Sequence, residues 1–427
     1  MDCLILMNYK KIRDWVSLVA GFVLGQGAMF VAGVFLVARG QADTYGEATL
    51  VLGIISLTLW FLDFGSIPWS VSYLHLHPEK SREVFGLLWT ARMPLSVIAI
   101  FAIIVLYLFN GSGGIPLISI ICICFVFFLA PFGVAGILDA NRLTFVSGIV
   151  SNFNWLGGAV ALVLTDSMQF CIIFFMIGHS VATVIQLLVL RRHIKSYNFF
   201  NCTYKLKNAE RKSYLRFGFN YILNYSSGQI YGRAVMMIVS FLLGYEQLGH
   251  YSLIKSIMNS CNQLITTLRR VEYMDLVRIA KLLHDDAAFY KNNFKMILSL
   301  SRIGILVSSG FVVISMIFSV FDVYKAFDEK LHFLFYDKTL TYFFIAAVMW
   351  SIYGLMSNIA VATNLMRLLL PVNYVTYPLG LVAIYILLPS HGLKIIAILE
   401  IILHIAQALF IHIGFLRIFG SVAQSRS

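Results

Sequence analysis

Charge is what this sequence has least of. Of 427 residues, only 12% are Asp, Glu, Lys or Arg, about half the ~25% usual in a soluble domain. A sizeable aqueous domain is therefore excluded. Acids are scarcer still, 20 against 32 Lys and Arg, for a net charge of +12. With no soluble part to grip a duplex, that surplus reflects membrane topology, and a nucleic-acid partner is not expected. The six cysteines make no disulfide or zinc framework: Cys122 and Cys124, two apart in an apolar run, point to different sides of a helix. Walker loops, GxSxG, HExxH and metal-ligand clusters are all missing. No catalytic residue, metal or cofactor is expected, so transport energy would have to come from an ion gradient, the substrate gradient or a partner.

What fills the chain is apolar. Hydrophobic residues make up 59% and the mean hydropathy is +0.83, which marks an all-α integral membrane protein. Twelve apolar runs are long enough to cross a bilayer. They lie near Trp15–Ala38, Gly46–His75, Gly86–Phe109, Ile115–Leu138, Leu143–Leu164, Met168–Leu190, Phe217–Leu243, Leu248–Leu268, Phe294–Ser319, Thr341–Thr363, Leu368–Leu388 and Leu393–Leu416. Connections on the side of the N-terminus carry 23 Lys and Arg, and those on the other side 5. By the positive-inside rule both termini are expected in the cytoplasm.

The basic segment 191–216 divides the spans six and six, giving an N-terminal lobe over 1–190 and a C-terminal lobe over 217–427. An even number of spans per lobe makes any duplication parallel. A trace of one is visible: Gly25, Gln26 and Gly46 recur as Gly228, Gln229 and Gly249 at a constant offset of 203. In the second span, Asp63-Phe64-Gly65-Ser66-Ile67-Pro68 predicts a kink, since Pro68 lacks an N–H and clashes with the carbonyl of Phe64. Pro94, and Pro131 with Gly133 and Gly136, predict bends in the third and fourth spans.

Four cations fall within spans: Arg92, Arg233, Lys255 and Arg302. A charge at membrane depth costs roughly 2.5–3.5 kcal/mol, so it faces a cavity or a partner. Arg92 and Arg302 lie near the cytoplasmic end and can snorkel. Arg233 and Lys255 lie about 15 Å to either side of the Gly244 turn, at ~1.5 Å per residue, and so at similar depth. Such a pair suits a phosphate-bearing ligand; its bland alternative is an ion pair with Asp63 or Glu400. Asp63, Glu400 and His404, the last two at i and i+4, are gating or coupling candidates, with a plain Glu–His hydrogen bond as the alternative. Asn224, Tyr225, Gln229 and Tyr231 share the helix of Arg233. So polar a face is either a glycan-contacting wall or a helix–helix seam.

Arg233-Ala234-Val235-Met236 leading to Gly249-His250-Tyr251-Ser252 resembles the Wzx-type O-antigen and polysaccharide flippases of the multidrug/oligosaccharidyl-lipid/polysaccharide (MOP) superfamily. Tyr45-Gly46, Asp63-Phe64-Gly65 and His391-Gly392-Leu393-Lys394 carry the same resemblance, which spans the whole chain. It implies two six-helix lobes around a central cavity. It also implies flipping of an undecaprenyl-pyrophosphate-linked oligosaccharide from the cytoplasmic to the periplasmic leaflet of the bacterial inner membrane by alternating access, in one pathway with a polymerase and a chain-length regulator. Arg233, Lys255 and Arg302 would meet the pyrophosphate. The connection Phe321–Leu340 departs from the pattern. Two other readings are a MATE-type multidrug exporter of the same fold and an O-antigen polymerase or ligase. Cation exporters favour buried carboxylates, whereas this chain buries more cations than acids. A polymerase needs a larger outer loop than the roughly twenty residues available.

Overall fold

The structure, a computed structural model, describes residues 20–21, 23–110, 116–141, 143–193, 208–285, 302–320, 338–362, 365 and 368–426. Among these the chain is helical and has no strand. A π-helical turn Val23–Gly27 leads into α1 (Ala28–Ala38), followed by α2 (Ala42–Asp63), α3 (Ser66–Leu76) and α4 (Ser81–Asn110). Next come α5 (Leu117–Leu129), α6 (Ala135–Ala140), α7 (Thr144–Val150), α8 (Phe153–Thr165) and α9 (Met168–His193). The remainder comprises α10 (Asn208–Asp285), α11 (Arg302–Val320), α12 (Thr339–Ala362), α13 (Leu369–His391) and α14 (Lys394–Arg426).

Eight stretches of helix among the described residues are long and apolar enough to cross a membrane. Two shorter apolar helices, Val23–Ala38 and Ile305–Ile317, fall on the spans expected near Trp15–Ala38 and Phe294–Ser319. The spans expected at Phe217–Leu243 and Leu248–Leu268 fall on the two arms of α10. These meet at Gly244, whose φ of 83° and ψ of 176° only glycine adopts without strain. Most of the connection Phe321–Leu340 lies outside the described residues.

The second span breaks outright, where the sequence predicts a kink. Phe64 (φ 50°) and Gly65 (φ 68°) are both left-handed, and α3 begins afresh at Ser66. Pro68 then sits in a first helical turn, where a missing N–H costs nothing. Gly65 has a second reason to be glycine: a Cβ there would lie 2.9 Å from the Tyr221 ring. The fourth span is interrupted too, by a 3-10 turn Ala130–Phe132 holding Pro131 and an extended Gly133. Pro94, by contrast, is carried inside the unbroken helix α4.

The chain forms two compact units, one of Met1–Leu36 with Glu47–Ser226, the other of Val37–Gly46 with Ser227–Ser427. The division falls inside α10, and of the basic segment 191–216 the residues 194–207 lie outside the described residues. In the first unit, Trp69, Phe85, Leu88, Ile137, Leu190 and Tyr214 pack a core between α3, α4, α6, α9 and the start of α10. In the second, Tyr353, Met356, Ile359, Leu369, Ile411 and Phe415 join α12, α13 and α14.

Two glycines fix a close crossing in the second unit. A Cβ on Gly46 would lie 2.2 Å from the Tyr245 carbonyl oxygen, and one on Gly249 would lie 1.9 Å from the Ala42 carbonyl oxygen. Each glycine thus meets the carbonyl of a residue shortly before the other. These are the glycines related by the 203-residue offset.

Candidate functional site

In the first unit, the Asp63 carboxylate stands where α2 ends. Its Oδ1 accepts from Ser66 Oγ at 2.6 Å and from Arg92 Nη2 at 2.5 Å. Arg92 also donates from Nη1 to the Gly133 carbonyl at 2.8 Å and from Nε to the Asp63 carbonyl at 3.4 Å. One guanidinium therefore ties together the two breaks, satisfying carbonyls that no helix would satisfy. Arg92 is only 3% exposed, so the expectation that it snorkels is corrected: the broken helices offer it acceptors inside. Asp63 is bound as this clamp's anion.

Near the end of α3, Tyr73 Oη donates to Glu210 Oε1 at 2.6 Å and Lys80 Nζ reaches the same oxygen at 3.0 Å. This fastens the first turn of α10 to the first unit. Nothing in the sequence marks Glu210 for that contact.

The second unit holds the deeper cations. Gly244 lets α10 turn so that Arg233 lies on its first arm and Lys255 on its second. Lys255 Nζ contacts both oxygens of Glu400, at 2.6 and 2.9 Å. The carboxylate is the more buried partner, with its side chain 4% exposed against 21% for the lysine. The ring of Phe343, on α12, lies 5.7 Å from Nζ, close enough for a cation–π contact. The pairing that the sequence holds as the alternative for Lys255 is thus present.

Arg233 stands differently. It is half-buried, and its Nη1 contacts the Met236 sulfur at 3.4 Å. No carboxylate lies within ion-pair distance of it among the described residues. The buried Tyr251 phenol, on the second arm, lies within electrostatic reach of both Arg233 and Glu400. Arg233 and the Lys255–Glu400 pair thus each act on Tyr251, and the three charged side chains sum to one positive unit.

One turn beyond Glu400, His404 Nδ1 meets Gln407 Oε1 at 3.1 Å. The Gln407 amide nitrogen donates to Asn373 Oδ1 and to Thr376 Oγ1, each at 3.1 Å. With that nitrogen so used, Gln407 presents its oxygen to the histidine, and Nδ1 is the donor. Tyr353 Oη donates to Asn373 Oδ1 at 3.0 Å and its ring stacks on His404. The spacing of Glu400 and His404 suggests that they bond to each other; they are instead engaged by Lys255 and by Gln407. A buried polar seam across α12, α13 and α14 results.

The four glycan-contacting candidates do not share one environment. Tyr231 is 6% exposed and packs on Tyr377 with ring centroids 4.9 Å apart, which makes it part of a helix seam. Gln229 is exposed and Tyr225 half-buried, the latter in ring contact with Tyr221, which also contacts Trp60. The side chains of Asn224 and Arg302 lie outside the described residues.

No protein-family model and no curated protein matches the chain. Solved structures do match its fold. An inward-facing multidrug resistance MATE family transporter of the MOP superfamily superposes with a TM-score of 0.66 at 15% identity, over 97% of this chain and 100% of that one. The lipid II flippase MurJ, in an inward closed conformation, gives 0.64 at 14% identity, over 93% and 87%. An outward-facing MATE family transporter of the same superfamily gives 0.61 at 13%, over 97% and 96%. The chain is thus an all-α integral membrane protein with the fold of these transporters.

Proposed function

We propose that this protein is a flippase that carries an undecaprenyl-pyrophosphate-linked oligosaccharide, an O-antigen or related polysaccharide repeat unit, across the bacterial inner membrane by alternating access. Both termini would lie in the cytoplasm, with lobes over 1–190 and 217–427 moving the headgroup to the periplasmic leaflet. The observation that carries this reading is the electrostatic state of Arg233. It is a half-buried cation without a carboxylate partner among the described residues, unlike Lys255, which is already neutralised. An uncompensated positive group in a membrane protein is costly unless an anion visits it, and a diphosphate is such an anion.

The same fold serves MATE multidrug transporters and a lipid II flippase, so fold alone supports drug export equally well. The charge pattern favours the flippase. An exporter of cations calls for a carboxylate free to bind, whereas Glu400 is held by Lys255 and Asp63 by Arg92.

The test is complementation of a flippase-null strain, scored for accumulated lipid-linked repeat unit and for drug resistance. Clearance of the lipid intermediate by the wild-type chain, and its return with Arg233→Ala, is the expected result. Restored drug resistance without clearance would instead favour the exporter.

A further inference from the structure

Glu400 poses a problem that the proposed function does not solve. If Lys255 meets the diphosphate, it must do so while both oxygens of a nearly inaccessible carboxylate occupy its ammonium. Charge counting sharpens this. The empty group of Arg233, Lys255 and Glu400 carries one net positive charge, and a sugar–lipid diphosphate diester brings two negative ones. A loaded site with Glu400 ionised would be negative by one unit. A buried carboxylate that has lost its cation is strongly disfavoured.

Resting on the flippase reading, we propose that Glu400 is a built-in surrogate for the substrate's phosphate: the diphosphate displaces it from Lys255, and the freed carboxyl takes up one proton from the aqueous side. The exchange balances. One ion pair breaks, Lys255 and Arg233 face the two charges of the diester, and the carboxylic acid leaves the loaded site neutral. Release of the diphosphate reverses each step, returning the proton and re-forming the Lys255–Glu400 pair.

The surroundings suit this role. The titratable or charged groups near Glu400 are Lys255, Tyr231 and Tyr251 from the two arms of α10, and His404 from its own helix. Tyr353 and Tyr377 of the polar seam lie beyond His404, from α12 and α13. No second carboxylate is within ion-pair distance of Lys255 among the described residues. The Glu400 carboxyl is the group that touches Lys255 directly, so it is the one left without its cation when Lys255 is taken.

The experiment uses the purified full chain in lipid nanodiscs and symmetrical dimethyl diphosphate, a diester whose two charges do not titrate near neutral pH. Calorimetry in two buffers of different ionisation enthalpy reads affinity and proton uptake together. Wild type is expected to bind with uptake of a proton and to bind more tightly as pH falls. Glu400→Gln is expected to bind roughly tenfold tighter, about 1.4 kcal/mol, without uptake and with a flat pH profile. Binding in wild type that is lost in Arg233→Ala, but without proton uptake, overturns the surrogate role whether or not Glu400→Gln folds. Tighter binding absent from a folded Glu400→Gln overturns it equally. Failure of wild type to bind, or binding unchanged in Arg233→Ala, overturns the flippase reading instead.

Discussion

Arg233 and Lys255 sit on two arms of one helix, yet among the described residues only Lys255 has an acid against it. Its ammonium touches both oxygens of Glu400, while the Arg233 guanidinium meets a thioether. The two residues should therefore fail in different ways when changed.

Arg233→Ala removes a cation that pairs with no acid among the described residues, so its cost to folding is small. We expect near-normal membrane abundance with loss of surface polysaccharide, read on lipopolysaccharide ladders. Arg233→Lys should keep part of the activity, because a diphosphate needs charge before it needs the guanidinium fork. Full ladders from Arg233→Ala would remove this residue from the site.

Lys255→Met strands a buried carboxylate, a change that costs about 3–5 kcal/mol. The double variant Lys255→Met with Glu400→Gln should recover most of that loss, since no charge is left behind. Thermal unfolding in detergent checks this: the single variant should melt well below the double. Equal melting temperatures would mean that the stranded carboxylate costs the fold nothing.

Arg92→Ala removes the tie between the α2–α3 and α5–α6 breaks and leaves Asp63 buried in part without its cation. Destabilisation of about 3–5 kcal/mol is expected. Asp63→Asn should be milder, because the amide oxygen can still accept from Arg92 and Ser66. If Asp63 served chiefly as a gating carboxylate, Asp63→Asn would instead abolish transport in a protein of unchanged stability. Paired melting and complementation assays separate the two.

Gly46→Ala and Gly249→Ala each drive a methyl group into a carbonyl oxygen across the same crossing. Either one must push the two helix ends apart. The second substitution should then add little to the first, a non-additivity measurable as a double-mutant cycle on melting temperature. Strictly additive losses would show that the two contacts are independent.

Much of the first unit's break is legible in the sequence, because Gly65 and Pro68 act locally on the backbone around them. The clamp that holds it is not. Arg92 lies 29 residues from Asp63 and 41 from Gly133, and its nearness to a helix end suggests the interface instead. Glu400 is 145 residues from Lys255, so the sequence can hold the pair only among alternatives. Local periodicity places His404 one turn from Glu400 and Gln407 one turn from His404, but carries no word of Asn373, which accepts from Gln407, or of Tyr353, which stacks on the ring. Tyr231 reads as either a wall or a seam residue because its helix face is polar; Tyr377, far along the chain, makes it a packing residue. Long-range partners decide what an amphipathic pattern only permits.

The reciprocal meeting of Gly46 with the Tyr245 carbonyl and Gly249 with that of Ala42 has the form of an isologous contact, one patch touching its own copy. At the 203-residue offset Tyr245 answers to Ala42 and Gly249 to Gly46, so the four positions of the crossing reduce to two kinds of site, each used twice.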